Sequence, residues 1–150
     1  MIESFILKEE DLMSFAEKVV DVLLSKNKED NSKAKIILLE GDLGAGKTTF
    51  TKFLAKSLGI DETNVHSPTF ILKKTYDTIH SVFTKLVHID AYRFTHPSEA
   101  SVLRIEEDLK NPQAVIVVEW PSKMSYLKSD IEINFTLTDE DTREVVIKYD

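Results

Sequence analysis

The stretch GDLGAGKTTF, residues 41–50, constrains the fold of this chain more than any other. It contains three of the four glycines in the sequence and matches the spacing G-x-x-x-x-G-K-[ST] from Gly41 to Thr48. The apolar run AKIILLE comes directly before it, and apolar residues recur at helical spacing from Lys47 to Leu58. A buried strand, a glycine-rich loop and a helix in this order are the context of a phosphate-binding P-loop.

The glycines of such a loop let the backbone curl so that amide groups surround a phosphate, and the helix N-terminus adds partial positive charge. We expect Lys47 to bridge the β- and γ-phosphates of a nucleotide and the Thr48 hydroxyl to ligate Mg²⁺. The predicted nucleotide-binding residues are Gly41, Asp42, Leu43, Gly44, Ala45, Gly46, Lys47, Thr48 and Thr49.

Helical and strand patterns alternate along the chain. Helices are predicted at 9–25, 47–58 and 96–110, and strands at 4–7, 34–40, 69–76, 82–90, 114–120, 131–138 and 143–149, with KNKEDNSK (26–33) as a polar loop. This order predicts an α/β fold: a P-loop NTPase-like three-layer domain whose mixed sheet is parallel at its centre and ends in a C-terminal antiparallel hairpin. At 150 residues, we expect one P-loop ATPase domain spanning 1–150.

Two of the predicted strands end in carboxylates, Asp90 in LVHID and Glu119 in VIVVE. Ligands of α/β proteins bind at the carboxyl ends of the parallel strands. One acid there can hold the Mg²⁺ shell and another can orient the attacking water, and the residues leave open which does which. His88 alternates with Asp90 on one strand face, so we expect it to support that carboxylate through a hydrogen bond.

The loop HSPTF, residues 66–70, is a third candidate part of the site. Pro68 disfavours helix at Ser67, which places Thr69 at the start of a strand. Its hydroxyl could meet the γ-phosphate and Mg²⁺ as a nucleotide-sensing switch threonine does. An ordinary turn leading into a strand explains the same residues.

Other P-loop classes fit less well. A GTPase needs D-x-x-G after the P-loop, but the only later glycine, Gly59, has Lys56 three residues before it. The NKED of Asn27 to Asp30 imitates a guanine-reading motif but precedes the P-loop and follows a helix, so it is interpreted as a solvated loop. A small-molecule kinase usually gathers several arginines over the phosphates, whereas the chain contains only Arg93, Arg104 and Arg143.

The composition of the chain limits the classes of partner and the cellular location that we expect. The net charge of -7, from 19 Lys and Arg against 26 Asp and Glu, disfavours direct binding to a nucleic-acid backbone. The absence of cysteine excludes disulfides and Cys-ligated zinc. No apolar run approaches the roughly 20 residues of a membrane span, and no secretory signal is visible. We therefore expect a cytoplasmic protein without membrane contacts.

The motifs GDLGAGKTT, HSPTF, HIDAYR and VVEW, in this order and spacing, resemble the TsaE family (formerly YjeE), the small ATPase of bacterial tRNA threonylcarbamoyladenosine synthesis. The likeness spans nearly the whole chain. It implies binding and hydrolysis of ATP with Mg²⁺, in a complex with TsaB-like and TsaD-like proteins. That complex places a threonylcarbamoyl group on adenosine 37 of tRNAs that read codons beginning with A, so tRNA is expected to be an indirect partner.

The resemblance also implies roles for single residues. Lys47 and Thr48 bind phosphates and Mg²⁺, and Thr69 is the switch-like threonine. Asp90 supports Mg²⁺, while Glu119 and Trp120 stand at the hydrolytic and partner-facing site. There Glu119 is expected to help hold the metal, and Trp120 to contact the nucleotide. The implied catalytic residues are Lys47, Thr69, Asp90 and Glu119.

The chain departs from the family pattern at Ala91, where leucine is common, and at Arg104, where glycine is common. No arginine finger is evident, although Arg93, close to Asp90, is a candidate substitute in cis. We expect slow turnover by the chain alone and faster turnover with its partners. The competing interpretation is a nucleotide-dependent binding module in which ATP occupancy regulates docking and turnover is incidental.

Overall fold

A computed structural model describes residues 1–42, 44–61, 65, 72–91, 103–124 and 127–150, with only the backbone at 122 and 123. Its strands are β1 (Ile2–Lys8), β2 (Lys35–Gly41), β3 (Lys73–Asp77), β4 (Lys85–Asp90), β5 (Ala114–Glu119), β6 (Ile131–Leu137) and β7 (Thr142–Tyr149). Its helices are α1 (Leu12–Glu29), α2 (Lys47–Ser57) and α3 (Ile105–Leu109). Short 3-10 turns occupy Glu9–Asp11 and Pro121–Met124.

The described strands form one sheet in the order β1-β7-β6-β2-β5-β4-β3. Strands β6, β2, β5 and β4 run parallel, while β7 and β3 are antiparallel to their neighbours. The predicted mixed sheet, with a parallel centre and a C-terminal hairpin of β6 and β7, is confirmed. Both β2 and β5 are buried on both faces along most of their length, as continuous apolar strands in a parallel sheet usually are.

Two cores lie on opposite faces of the sheet. Helices α1 and α2 cover one face, where the rings of Phe15, Phe50 and Phe135 pack in series, tilted by 54° and 52°, at centroid distances of 5.6 and 5.7 Å. On the other face, Ile105 of α3 and Met124 pack against β2, β4 and β5. The sheet is therefore the middle of three layers, as predicted.

The end of α1 differs from the prediction. The helix starts at Leu12, after a 3-10 turn, and continues to Glu29, so the loop predicted at 26–33 begins only at Asp30. Lysine and glutamate are good helix formers, so a polar composition alone does not end a helix. The amide of Asp30 donates to the Lys26 carbonyl at 3.0 Å and closes the last turn. Most of the NKED stretch is thus helical.

The predicted helix 96–110 is described only as α3, and the predicted strand 69–76 as β3 from Lys73, because residues 66–71 and 92–102 lie outside the described residues. Arg104, directly before α3, has φ 57°, a left-handed conformation that glycine adopts without steric cost. The departure from the family pattern at Arg104 therefore falls where the backbone favours glycine. Ala91 is fully buried in the second core. In the described part of the chain, no helix is long and apolar enough to cross a membrane.

Candidate functional site

The glycine-rich loop turns the chain from the end of β2 at Gly41 into the start of α2 at Lys47. Gly41, Gly44 and Gly46 have φ values of 139°, 81° and 108°, which other residues rarely adopt. At Gly41 a Cβ would also overlap the carbonyl oxygen of Phe135 on β6, whereas at Gly44 it would meet open space. Gly41 thus lets β2 approach β6 closely, and Gly44 leaves the loop open on its outer side.

The N-terminus of α2 faces a cleft of about 290 Å³. Gly46 is the N-cap of this helix and offers no side-chain acceptor to its first amide groups. Gly44, Gly46, Thr48 and Thr49 line the cleft together. Amide groups at a helix N-terminus, with the partial positive charge of the helix dipole, favour a bound anion.

The Lys47 side chain is only 5% exposed. Its Nζ donates to the carbonyl oxygens of Gly41 and Asp42, the latter at 3.1 Å, and lies 4.4 Å from the centroid of the Trp120 ring. Burial lowers the pKa of Lys47, and nearby carboxylates, Glu119 most strongly, oppose that shift. An anion that enters the cleft would therefore stabilise the charged form of this dehydrated ammonium.

The two predicted acids come together across β4 and β5. The parallel register places Asp90 opposite Glu119, and the Ala91 amide donates to the Glu119 carbonyl at 3.0 Å. Asp90 is 5% exposed and Glu119 3% exposed, and both line the cleft with Lys47. The carboxyl ends of neighbouring parallel strands meet at one edge of a sheet, which explains this convergence.

His88 bonds to a different carboxylate from the one expected. Its Nε2 donates to Glu119 Oε2 at 2.8 Å, and both side chains are buried. The predicted support of Asp90 is therefore wrong. In the parallel register His88 lies opposite Val117, and Glu119 lies opposite Asp90, so Glu119 is a diagonal neighbour of His88 on the same face of the sheet. Diagonal neighbours on adjacent strands are roughly 7–8 Å apart, within reach of long side chains, so the imidazole and the Glu119 carboxylate meet between the two strands. The other ring nitrogen, Nδ1, is buried and has no hydrogen-bond partner among the described residues.

Trp120 adopts φ 58°, which is unusual for an aromatic residue. Its amide donates to the Leu39 carbonyl on β2 at 3.2 Å, so the backbone stays attached to the sheet while it turns away from β5. Strained backbone of this kind concentrates at functional sites. Here it brings the indole ring against the Lys47 ammonium.

Two cleft residues, Glu9 and Arg143, were not predicted from the sequence. Arg143 is the second residue of β7 and is 7% exposed. One signal could have identified it, because strand alternation puts Arg143 on the same face as the apolar Val145 and Ile147. Glu9, in the turn before α1, carries no comparable signal.

Three other predicted residues, Leu43, Thr69 and Arg93, lie outside the described residues, so their roles stay predictions. Among the described residues, no group of three or more His, Asp or Glu side chains could hold a metal ion by itself. The cleft does offer the Thr48 hydroxyl and the carboxylates of Asp90 and Glu119. Such hard oxygen donors suit Mg²⁺, which proteins usually hold by one or two carboxylates together with substrate phosphates. The donor set therefore fits Mg²⁺ bound jointly with a nucleotide.

Comparison with known proteins decides the family. The family model described as "Threonylcarbamoyl adenosine biosynthesis protein TsaE" matches residues 6–145. The chain belongs to the TsaE family. The resemblance predicted from the motifs is thereby confirmed, and the chain belongs to a family of tRNA threonylcarbamoyladenosine biosynthesis.

Several TsaE relatives, each named "tRNA threonylcarbamoyladenosine biosynthesis protein TsaE", align over most of the chain. The Aquifex aeolicus protein is 33% identical over 97% of this chain and 94% of its own. The Rickettsia bellii protein is 35% identical over 94% of this chain and 90% of its own. The Rickettsia felis protein is 42% identical over 72% of this chain, a region that spans 61% of the relative.

A solved structure supports the same fold. The crystal structure of Bacillus subtilis YdiB superposes with a TM-score of 0.66 at 27% sequence identity. The match covers 98% of this chain and 86% of that one. The P-loop NTPase-like fold predicted for this TsaE-family chain is confirmed.

Proposed function

We propose that this chain is a Mg²⁺-dependent P-loop ATPase that acts with TsaB-like and TsaD-like proteins in threonylcarbamoylation of adenosine 37 of tRNA, as one domain spanning residues 1–150. The observation that carries the proposal is the convergence of Lys47, Asp90 and Glu119 in the cleft at the N-terminus of α2. None of these three charged residues is more than 5% exposed. Buried charges of both signs around an anion-binding helix end suit a metal–nucleotide complex.

In this proposal the P-loop holds the phosphates. The backbone amides between Gly44 and Lys47 surround the β-phosphate, and Thr49 in the first turn of α2 adds a further contact. Lys47 Nζ exchanges its bonds to the Gly41 and Asp42 carbonyls for phosphate oxygens. The exchange is favourable because a phosphate offers full negative charge to a dehydrated ammonium.

The Thr48 hydroxyl and the Asp90 carboxylate would hold Mg²⁺, with Glu119 in reach. When bound, the ion neutralises charge on the phosphate oxygens. Glu119, fixed by its bond to His88, is the group we assign to orient and deprotonate water. Thr69 is proposed to sense the γ-phosphate, and Trp120 to contact the nucleotide and the partners.

Membership of the TsaE family supports the proposed partners. The relatives' names place them in tRNA threonylcarbamoyladenosine biosynthesis, which supports the same role here. The net charge of -7 works against a direct tRNA surface, because tRNA binding draws on lysines and arginines that release counterions. We therefore propose that this chain acts on tRNA only through the TsaB-like and TsaD-like proteins and does not bind it directly.

The test is ATP hydrolysis measured for the chain alone and then with purified TsaB-like and TsaD-like proteins and tRNA. We expect slow turnover alone and faster turnover in the complex. Glu119→Gln should bind ATP but hydrolyse it roughly 100- to 10,000-fold more slowly, the scale for losing a positioned base. Glu140→Gln, an exposed acid in the β6–β7 turn, is the matched control.

Two outcomes would change the proposal. A chain that does not bind ATP with Mg²⁺ would refute it. If Glu119→Gln supports tRNA modification at the full rate while its hydrolysis is lost, ATP occupancy alone is sufficient. The chain would then be a nucleotide-dependent binding module.

A further inference from the structure

Arg143 is the one charged residue in an otherwise apolar row of β7. Its register pairs it with Leu137 at the carboxyl end of β6, and the alternate residues Val145 and Ile147 lie in the core under α1 and α2. Because β7 is antiparallel to β6, its first residues lie at the same edge of the sheet as the P-loop. The C-terminal hairpin of β6 and β7 thus places the Arg143 guanidinium at the cleft.

The Arg143 guanidinium is buried, and no anionic side chain among the described residues pairs with it. Arg143 is 7% exposed, and its Nε is buried with no hydrogen-bond partner in the described part of the chain. Within the described ranges, no ion pair joins it to another side chain, and Glu9, which lines the same cleft, forms none with it. An arginine remains charged at any physiological pH, and an unpaired buried charge is destabilising. A buried arginine of this kind is expected where a bound anionic ligand supplies the opposite charge.

The guanidinium also lies directly against the P-loop. Its Nη1 lies 3.4 Å, and its Cδ 3.5 Å, from the position that a Cβ on Gly46 would take. Gly46 is the N-cap of α2, and Thr48 and Thr49 line the cleft beside it. Arg143 is therefore adjacent to the amide groups that the fold directs at a phosphate.

The sheet order separates Arg143 from the carboxylates. Strands β5 and β4, which end at Glu119 and Asp90, lie on one side of β2, and β6 and β7 lie on the other. A nucleotide whose γ-phosphate faced the carboxylates would therefore extend the rest of its phosphate chain toward β7. We propose that Arg143 is a second cationic ligand of the nucleotide and binds the diphosphate portion that ATP and ADP share. This inference rests on the proposed function and deepens it.

The test measures dissociation constants for ADP and for a non-hydrolysable ATP analogue by calorimetry on the full chain. Arg143→Met should weaken both by the same factor, on the order of 10- to 100-fold, which is the range for a charge-assisted bond. The dissociation constants of Arg143→Lys should lie between those of the unaltered chain and those of Arg143→Met, because lysine keeps the charge but lacks the forked donors of the guanidinium. Lys148→Met, on the same strand but exposed, removes the same charge and should change neither constant.

Thermal unfolding without nucleotide separates a binding role from a structural one. Methionine fills a similar volume without a buried charge, so Arg143→Met should melt at the same temperature as the unaltered chain or higher. A purely structural arginine would give a lower melting temperature and unchanged nucleotide affinity in the folded fraction. If Arg143→Met does not fold, the ADP affinity of Arg143→Lys decides, and a value within twofold of the unaltered chain would overturn the inference.

The remaining outcomes are distinct. ADP binding by Arg143→Met within twofold of the unaltered chain would overturn the inference and leave the proposed function standing. A loss confined to the ATP analogue would assign Arg143 to the γ-phosphate and also overturn it. Failure of the unaltered chain to bind ADP would refute both.

Discussion

Replacing His88 with leucine tests whether its buried bond to Glu119 holds the proposed catalytic carboxylate in place. The substitution removes the Nε2 donor 2.8 Å from Glu119 Oε2 and leaves a carboxylate that is only 3% exposed. Leucine occupies a volume close to that of the imidazole, so the cavity term is small. The change in stability therefore reports mainly the loss of the hydrogen bond.

Two effects of opposite sign set the magnitude. Leaving the buried Glu119 carboxylate without this donor costs about 3 kcal/mol or more, since an unsatisfied charged group costs more than the roughly 1–3 kcal/mol of a neutral one. The buried Nδ1 of His88 has no hydrogen-bond partner among the described residues, and removing it returns about 2 kcal/mol, the middle of that range. The net expectation is a destabilisation of about 1 kcal/mol or more. For a chain of this size, each 1 kcal/mol lowers the melting temperature by about 2–4 °C.

The assay is urea and thermal unfolding of His88→Leu, Glu119→Gln and the double variant, without nucleotide. Residues in direct contact should show a coupling energy of about 1 kcal/mol or more. His88→Leu should also lower kcat while leaving the dissociation constant for ADP unchanged, and His88→Gln, which can donate to the carboxylate, should restore part of the loss. Additive single effects, or a His88→Leu variant as stable as the unaltered chain, would refute the reasoning.

Four further outcomes are expected. Lys47→Ala should abolish ADP binding or weaken it severely in calorimetry, since it removes a buried cation at the P-loop. Gly41→Ala should lower the free energy of unfolding by at least about 2 kcal/mol, because the new Cβ overlaps the Phe135 carbonyl. Gly44→Ala, with open space beside it, should lower the free energy of unfolding clearly less. Equal losses in the two variants would contradict this expectation. Because burial lowers the pKa of Lys47, ADP affinity should fall as pH rises toward that lowered pKa, and Lys47→Arg, which keeps its charge, should show no such fall. Trp120 fluorescence should change on ADP addition, and a titration without any change would place the nucleotide away from this ring.

Local patterns predicted the parts of the site that depend on neighbouring residues in the chain. The loop from Gly41 to Lys47 is encoded by consecutive residues, because the glycines alone allow its backbone. Asp90 and Glu119 were predicted to converge because the ends of parallel strands share an edge, whatever the order of the strands. Fold class followed from the alternation of strands and helices in the same way.

Long-range geometry accounts for what the sequence did not reveal. The partner of His88 depends on which strand lies beside β4, and a single sequence does not give strand order. Arg143 reaches the P-loop because β7 pairs with β6 and β6 with β2, two pairings that no local pattern specifies. The end of α1 was missed for another reason, since its polar last turn has the composition of a loop.

The distribution of charge in the cleft gives a physical reason for the proposed dependence on partners. Among the described cleft residues, Arg143 lies on the side of the sheet away from Asp90 and Glu119, and Lys47 lies between. In the proposed mechanism, charge developing on the γ-phosphate during hydrolysis would face two carboxylates, and within the described ranges no arginine lines that side. Mg²⁺ offsets part of this charge, and an arginine supplied there is worth roughly 1,000- to 100,000-fold in related reactions. Such an arginine would come either from the chain outside the described ranges, where Arg93 is the candidate, or from a docked partner. If the partner supplies it, the chain alone should turn over slowly.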